Sequence, residues 1–149
     1  MKVLISACLL GFQVRYDGQG KRLFEQQAGI EYHPLCPEVL GGLSVPREPC
    51  EIRSERVVSP SGADKTKEFQ FGAQKVLAYV QDQGIDVVVL KENSPSCGSQ
   101  RIYDGSFQSK KIAGMGMTTR LLKEHGIEVI NEDQWKKYLI GAYNKNESI

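Results

Sequence analysis

The sequence has 149 residues, enough for one domain with a hydrophobic core, and 40% of them are hydrophobic while 25% are charged. The 19 Lys and Arg residues nearly balance the 18 Asp and Glu residues, which argues against a DNA-wrapping or membrane-surface protein. Residues 1–10 are too short for a signal peptide, and no apolar run reaches the roughly 20 residues that span a bilayer. We therefore expect a cytoplasmic protein with one domain over residues 1–149 and a flexible tail from about residue 144.

Four short apolar runs predict β-strands. The third run is the clearest, because its sequence IDVVVL is continuous and β-branched, as in a parallel strand that is covered on both faces. The second run is weaker, because Pro34 cannot donate a hydrogen bond to a neighbouring strand. The predicted strands are residues 2–6, 30–35, 85–90 and 127–130.

Three other segments have apolar residues at helical spacing. The first two end at Gly84 and Gly126, and each is followed by a strand that begins Ile-Asp-Val or Ile-Glu-Val. This repeated unit of helix, glycine and strand indicates a doubly wound α/β sheet. We therefore predict a Rossmann-like or flavodoxin-like three-layer sandwich with a mainly parallel sheet of four or more strands. The predicted helices are residues 64–83, 118–125 and 133–143.

Two segments depart from this alternation of helices and strands. Within residues 99–111, the pairs Ile102–Tyr103 and Ser106–Phe107 flank Asp104 and Gly105, which predicts a hairpin with a two-residue turn. Residues 53–67 are polar and contain the run Ser-Pro-Ser-Gly, so we expect a mobile surface loop that could cover a site.

Three of the four cysteines follow predicted strands. Cys8 comes just after the first strand, Cys36 after the second, and Cys97 beyond the third. Because ligands of parallel α/β sheets bind outside the carboxyl ends of the strands, we expect these side chains to meet at one edge. Pro37 favours a helix start beside Cys36, and helix N–H groups lower the pKa of a thiol. Gly98 lets the backbone beside Cys97 approach a bulky ligand.

Several roles are open to these cysteines. In a reducing compartment they are more typical of buried core residues, nucleophiles or metal ligands than of disulfides. A zinc site of three cysteines and His33 is disfavoured, because His33 would point to the opposite face of its strand. Three thiolates suit a four-iron four-sulfur cluster in which one iron lacks a protein ligand, whereas electron-carrying clusters normally have four cysteines. Cys50 lies in an extended, proline-containing segment, and we predict that it is not a ligand.

Five motifs occur in order between residues 6 and 99, and they carry a resemblance to a known family. They are SACLLG, YDG, LCPEVLGGL, PREPCEI and LKENSPSCGS. Together they resemble the former domain-of-unknown-function family that contains bacterial iron–sulfur thiouracil desulfurases. The resemblance implies a 4Fe-4S cluster on Cys8, Cys36 and Cys97, without Cys50. It also implies that the open iron takes the sulfur of a thiolated base such as 2-thiouracil or of a related small thioamide.

Polar residues near the predicted ligands indicate how a thioamide would react. Hydrolysis needs a carboxylate that activates water, and Glu38, two residues after Cys36, is the candidate general base. Ser94 is a candidate for orienting the substrate, and Ser96 for donating a hydrogen bond to the substrate or to the cluster, although Ser-Pro-Ser is also a common turn. Three further candidates for substrate binding are Asp17, Arg47 and Lys91.

Two other functions stay open from the sequence. One is a non-enzymatic cluster-binding or metal-binding module, such as a sulfur carrier or a redox sensor. The other is a zinc-stabilised or metal-free nucleotide-binding domain, for which residues 114–119 offer a weak anion-binding helix start. We expect a small-molecule substrate and neither a macromolecular nucleic acid nor a membrane as a partner.

Overall fold

The computed structural model describes the backbone of residues 1–147 and the side chains of residues 1–141. Eight strands are present, in chain order β1 Lys2–Ser6, β2 Glu31–Leu35, β3 Glu51–Arg53, β4 Arg56–Val58, β5 Val87–Leu90, β6 Arg101–Tyr103, β7 Lys111–Ala113 and β8 Val129–Asn131. The α-helices are α1 Pro37–Leu40, α2 Thr66–Gln83, α3 Met117–Glu124 and α4 Glu132–Glu147. A short 3-10 helix, Ala7–Leu9, follows β1 directly.

The central sheet has four parallel strands in the order β2-β1-β5-β8. In this register Val3 of β1 lies opposite Tyr32 of β2 on one side and Val87 of β5 on the other. These are the four strands predicted from the sequence, and the predicted α/β fold class is confirmed. Because the chain leaves β1 for β2 and later returns to place β5 on the other side of β1, the order of strands switches between β1 and β5.

The core lies on both faces of this sheet, because successive side chains of a strand point to opposite sides. On one face, Val3 and Ile5 pack with Trp135 of α4. On the other face, Leu4 packs with Val76 of α2, in a cluster that also contains Leu122 of α3 and Cys97. The sheet is therefore the middle of three layers, as predicted.

The helices begin and end within a few residues of their predicted limits. Helix α2 ends at Gly84, which has a left-handed φ of 63° that glycine adopts without strain. Its start is at Thr66 rather than residue 64, because Asp64 lies outside the helix and accepts a hydrogen bond from the Thr66 N–H at 2.9 Å. We expected a flexible tail from about residue 144. The side chains of these residues, and the backbone of residues 148–149, lie outside the described part of the chain.

The segment predicted as a mobile loop, residues 53–67, instead contains most of a hairpin. Strands β3 and β4 pair antiparallel across a turn at Ser54 and Glu55, which have φ values of 49° and 66°. Val57 is completely buried, and its N–H donates to the Thr66 hydroxyl at 2.9 Å. The prediction was wrong here because burial of one valine and pairing with residues before the segment outweigh its polar composition.

The predicted hairpin of residues 99–111 is present as β6 and β7, but its connection spans residues 104–110 rather than two residues. Asp104 accepts hydrogen bonds from both the N–H and the hydroxyl of Ser106. Glu51 of β3 accepts hydrogen bonds from the Gly105 and Phe107 N–H groups at 2.9 and 3.2 Å. The connection is longer than predicted because it folds onto the other hairpin. Among the described residues, no helix is long and apolar enough to cross a membrane.

Candidate active site

A cavity of about 380 Å³ opens at the carboxyl ends of β1, β2 and β5. Cys8 lines the cavity from the 3-10 helix after β1, and Cys97 from the loop after β5. Cys36 lines it from its position between the end of β2 and the start of α1. The cavity therefore lies at the switch in strand order, where ligands of open α/β sheets bind. The structure brings the three predicted ligands together, as the strand-end positions indicated.

The three thiols share a buried environment. Cys8 and Cys97 are 9% and 5% exposed, and Cys36 is half-buried. The pKa of Cys8 is raised to about 11, chiefly by burial and then by the nearby Cys36, while Arg15 and Lys91 act in the opposite direction. Burial also raises the pKa of Cys97, and the charges of Cys36 and Glu38 raise it by smaller amounts. These mutual effects place the three sulfur atoms within electrostatic reach of one another.

The expected lowering of the Cys36 pKa is not found. Cys36 precedes Pro37 at the start of α1, as predicted, and the N–H groups of Val39 and Glu38 lower its pKa. Burial has the larger, opposite effect, so the pKa of Cys36 is raised overall. A thiol in this position becomes a thiolate when a metal centre supplies the compensating positive charge.

The donor set fits a metal cluster better than a single ion. Among the described residues, no three side chains are close enough together to hold one metal ion. Three thiols around a cavity of about 380 Å³ instead leave space between them for a larger group. His33 does not line this cavity, since its ring nitrogens contact the Tyr79 hydroxyl at 2.6 Å and Glu31 at 2.5 Å. A zinc site that uses His33 therefore has no support in this structure.

Glu38 lies in the first turn of α1 and lines the cavity. Its side chain is 16% exposed, and its Oε1 atom accepts a hydrogen bond from the Arg47 Nε at 3.1 Å. Burial raises the pKa of Glu38, and the charge and hydrogen bond of Arg47 act in the opposite direction. This carboxylate thus lines the same cavity as the cysteines, is mostly shielded from solvent, and is hydrogen-bonded to one arginine.

Arg47 lines the cavity, but its nitrogen atoms donate to protein oxygens. Besides Nε to Glu38, Nη1 donates to the Ser44 carbonyl and Nη2 to the Val14 carbonyl, both at 3.0 Å. The guanidinium therefore connects α1 to two loops. A contact between Arg47 and substrate, as predicted from the sequence, would compete with these three hydrogen bonds. The bonds that Arg47 makes in this structure instead hold Glu38 in position.

The two serines of the Ser-Pro-Ser segment have different surroundings. Ser94 lines the cavity, and its hydroxyl accepts a hydrogen bond from the Cys97 N–H at 2.7 Å. A hydrogen bond between the Ser94 side chain and the Cys97 thiol also lowers the pKa of Cys97, so Ser94 contacts both the backbone and the sulfur of this predicted ligand. Ser96 is 1% exposed, shares a 2.7 Å hydrogen bond with Thr118, and does not line the cavity.

The start of α3 does not provide the anion site considered from the sequence. The N–H groups of Met117 and Thr118 donate to the carbonyls of Pro95 and Ser96 at 2.8 and 2.9 Å. Gly116 lies so close to this loop that a Cβ atom there would be 2.4 Å from the Ser96 carbonyl carbon. The helix start therefore holds the loop that carries Cys97 instead of binding an anion.

The remaining predicted residues, Asp17 and Lys91, lie in different places. Asp17 does not line the cavity and accepts a hydrogen bond from the Gln19 N–H at 3.0 Å, as in an ordinary turn. Lys91 lines the cavity and forms an ion pair with Glu132 at 2.9 Å.

Sequence analysis overlooked Arg15 and Tyr16, which both line the cavity. Arg15 has no hydrogen bond or ion pair through its side chain to any described residue, and its guanidinium lies 5.9 Å from the centre of the Tyr16 ring. It is thus a cation available to a ligand beside Cys8. The only available signal was its position one residue before the YDG motif.

Comparison with known proteins agrees with this arrangement. The model of the 2-thiouracil desulfurase family matches residues 3–134. The chain is 41% identical to the uncharacterized protein YbbK of Bacillus subtilis (strain 168), over 89% of this chain and 96% of that protein. It is also similar to the solved structure of the 4Fe-4S-dependent thiouracil desulfidase TudS, with 47% identity, a TM-score of 0.87, and coverage of 95% of this chain and 97% of that one. The resemblance seen in the motifs is confirmed, and the chain belongs to the 2-thiouracil desulfurase family.

Proposed function

We propose that this protein hydrolyses the C=S group of 2-thiouracil or a related small thioamide, using a 4Fe-4S cluster. Water adds at the thioamide carbon and the carbon–sulfur bond breaks, so the products are the C=O compound and hydrogen sulfide, with no net oxidation or reduction. The single observation that carries the proposal is the convergence of Cys8, Cys36 and Cys97 on one cavity that Glu38 also lines. Family membership and the likeness to TudS support it. Because the four cysteines are free thiols, we place the activity in the reducing cytoplasm.

The thiolates of Cys8, Cys36 and Cys97 would hold the cluster. When bound, the cluster would supply an iron without a protein ligand, a Lewis acid suited to polarising a C=S bond. Cys50 also lines the cavity, but it does not follow a strand of the central sheet, and its thiol faces the Glu48 carbonyl at 3.8 Å. We therefore leave Cys50 outside the ligand set.

Glu38 would act as the general base that removes a proton from the attacking water. Its position two residues after Cys36 keeps it near the cluster, and its burial raises its pKa toward the range in which a base is effective. Arg47 keeps the carboxylate in one orientation through the 3.1 Å bond to Oε1. A sulfur carrier or redox sensor needs no such base, so the buried Glu38–Arg47 pair favours an enzyme.

Ser94 and Arg15 would bind the substrate. Ser94 lines the cavity next to Cys97, with which its side chain is hydrogen-bonded, so its hydroxyl would orient a substrate bound beside that cysteine. Arg15 and Lys91 lower the pKa of the Cys8 thiol, so their positive charges also face any negative charge that develops beside Cys8 as sulfur leaves. Asp17 and Ser96 are already engaged with the protein, and we propose that they act by shaping the loops of the site.

The experiment is anaerobic reconstitution of the chain with iron and sulfide, followed by assays with 2-thiouracil. We expect bound iron, the visible absorption of a cluster, and release of sulfide together with uracil. Single Cys8→Ala, Cys36→Ala and Cys97→Ala variants should lose the cluster, while the matched control Cys50→Ala keeps it. A cluster-loaded wild-type protein that releases no sulfide from any thioamide would refute the proposed reaction. Loss of the cluster in Cys50→Ala alone would refute the ligand set.

A further inference from the structure

The carboxylate of Glu92, two residues after β5, accepts six hydrogen bonds from described residues. Its Oε1 atom accepts from the Ser99 N–H at 2.7 Å and, at 3.1 to 3.3 Å, from the N–H groups of Asn93, Gln100 and Arg101. Its Oε2 atom accepts from the Ser99 hydroxyl at 2.8 Å and from the Asn131 side-chain amide at 2.9 Å. A single side chain thus satisfies donors from both ends of one loop and from β8.

The loop that these bonds close is residues 93–98, which carries Ser94 and Cys97 into the cavity. Within it, the Gly98 N–H donates to the Ser94 carbonyl at 3.0 Å. The backbone of Glu92 is fixed in turn, because its N–H donates to Glu132 at 2.8 Å. The loop is therefore tied at its base to Glu92, which is bonded in turn to Asn131 of β8 and to Glu132 at the start of α4.

Side chains also bond near the other two cysteines, since Arg22 Nε donates to the Leu10 carbonyl and Arg47 Nη2 to the Val14 carbonyl, but among the described residues no side chain there makes as many bonds as Glu92. The backbone carbonyl of Cys8 accepts hydrogen bonds from the N–H groups of Gly11 and Lys21 at 3.1 and 3.0 Å. The Cys36 carbonyl accepts from the Leu40 N–H at 2.9 Å, as the first turn of α1 requires. The loop of Cys97 also has backbone bonds, from the N–H groups of Met117 and Thr118, and it differs from the other two ligand segments in the carboxylate that closes its base.

We propose that Glu92 is a positioning residue that fixes the loop of Cys97 in its ligand-presenting form before any metal is bound. The part of this inference that concerns a cluster rests on the proposed function, but the ordering of the loop does not. Hydrogen bonds to a charged group are stronger than neutral ones, and six of them converge on this carboxylate. Removing its charge should loosen residues 93–98 while Cys8 stays as it is.

The experiment measures how fast an alkylating reagent, iodoacetamide, modifies Cys97 and Cys8 in the metal-free full-length chain, with mass spectrometry to separate the two sites. Both thiols are buried, so each reacts only when its segment opens. In Glu92→Gln we expect the ratio of the Cys97 rate to the Cys8 rate to rise about tenfold or more. A purely structural loss of stability would accelerate both cysteines and leave the ratio unchanged.

Asp64→Asn is the matched control. Asp64 also accepts several hydrogen bonds, from Thr66 and Arg56, but it does not line the cavity. The Asp64→Asn substitution should lower the melting temperature without changing the ratio of the Cys97 rate to the Cys8 rate. A ratio that stays at the wild-type value in Glu92→Gln, or that rises equally in Asp64→Asn, would overturn the inference.

If Glu92→Gln does not fold, Ser99→Ala takes its place, since it removes only the hydroxyl donor to Oε2. We expect a smaller rise in the same ratio, and no rise overturns the inference. After reconstitution, Glu92→Gln should also lose iron to a chelator faster than wild type. A raised ratio in a chain that binds no iron would refute the proposed function and leave the role of Glu92 standing. An unchanged ratio in an active, iron-loaded chain would refute the role of Glu92 and leave the proposed function standing.

Discussion

The two sides of the cavity each carry a glutamate, and the two carboxylates have opposite surroundings. On the side of β2 and α1, Glu38 is mostly buried and one arginine alone bonds to it, so burial raises its pKa. On the side of β5, burial would also raise the pKa of Glu92, but hydrogen bonds from Asn131, Gln100 and Ser99 lower it to about 2. The same chemical group is thus prepared for two different tasks within one cavity.

The difference lies in the number of donors that each carboxylate meets. A carboxylate with six hydrogen bonds is held firmly in its charged form and has little tendency to accept a proton. A carboxylate with one bonded partner and little contact with water keeps more of its basicity. The side of Glu38 is therefore suited to proton transfer, and the side of Glu92 to holding a loop.

Glu38→Gln is expected to have the largest effect on the reaction. It keeps the shape of the side chain but removes the base, which typically costs about 10²- to 10⁴-fold in rate. The measurement is the rate of sulfide release per intact cluster, and iron content should not change. Glu48→Gln is the control, because Glu48 bonds to Ser61 and does not line the cavity. A rate within a few-fold of wild type would remove Glu38 from the mechanism.

Arg15→Gln is expected to have a smaller effect that falls on binding. Loss of a charged donor beside Cys8 should raise KM about tenfold or more, with kcat reduced less. Arg15→Lys should restore part of the loss, because it returns the charge without the planar fork. The control is Arg22→Gln, since Arg22 contacts Glu25 on the exposed surface. Equal kinetic constants for Arg15→Gln and wild type would show that Arg15 does not contact substrate.

The pH dependence of stability should distinguish Glu92 from Glu38. It is expected to be the smallest of the three predicted effects. The folded-state pKa of Glu92 is about 2, below its ordinary value of 4.5, so the charged form stabilises the fold above that value. This contribution is lost as pH falls from about 4.5 toward 2. Glu92 is partly exposed to solvent, so we expect a loss of about 1 kcal/mol, well below the full linkage value.

The measurement is the free energy of unfolding by urea, for the metal-free chain at pH 7, 4 and 3. Glu92→Gln should be less stable than wild type at pH 7, and the gap should narrow as the pH falls. Asp64, whose pKa is also lowered to about 2, acts in the same direction, so the double variant Glu92→Gln with Asp64→Asn should show the flattest profile. A gap that is as large at pH 3 as at pH 7 would contradict the charged state assigned to Glu92.

The sequence was sufficient to predict the four central strands, because continuous β-branched runs and the glycines after helices are local signals. It was also sufficient to predict that Cys8, Cys36 and Cys97 meet, because parallel strands bring their carboxyl ends to one edge. The hairpin of β3 and β4 was missed, since its pairing joins residues whose composition is that of a loop.

The roles of individual polar residues were harder to predict for the same reason. Arg47 was expected to bind substrate, and its acceptors come from residues 14, 38 and 44, which are brought together only by the fold. Glu92 lies inside a recognised motif but was passed over, because its donors are mostly backbone N–H groups of residues 93–101, which the composition of the sequence does not reveal. Such hydrogen bonds depend on how the chain folds and not on the residue types around the carboxylate.

The two hairpins have a consequence for how this site can change over time. Pro60 from the loop after β4 and Phe107 from the connection between β6 and β7 both line the cavity, yet neither hairpin belongs to the central sheet. Insertions or substitutions in the loop after β4 or in the β6–β7 connection would reshape this wall of the cavity, while the segments that carry the cysteines follow strands of the central sheet. Selection could therefore alter which thioamides are admitted independently of the machinery that removes sulfur.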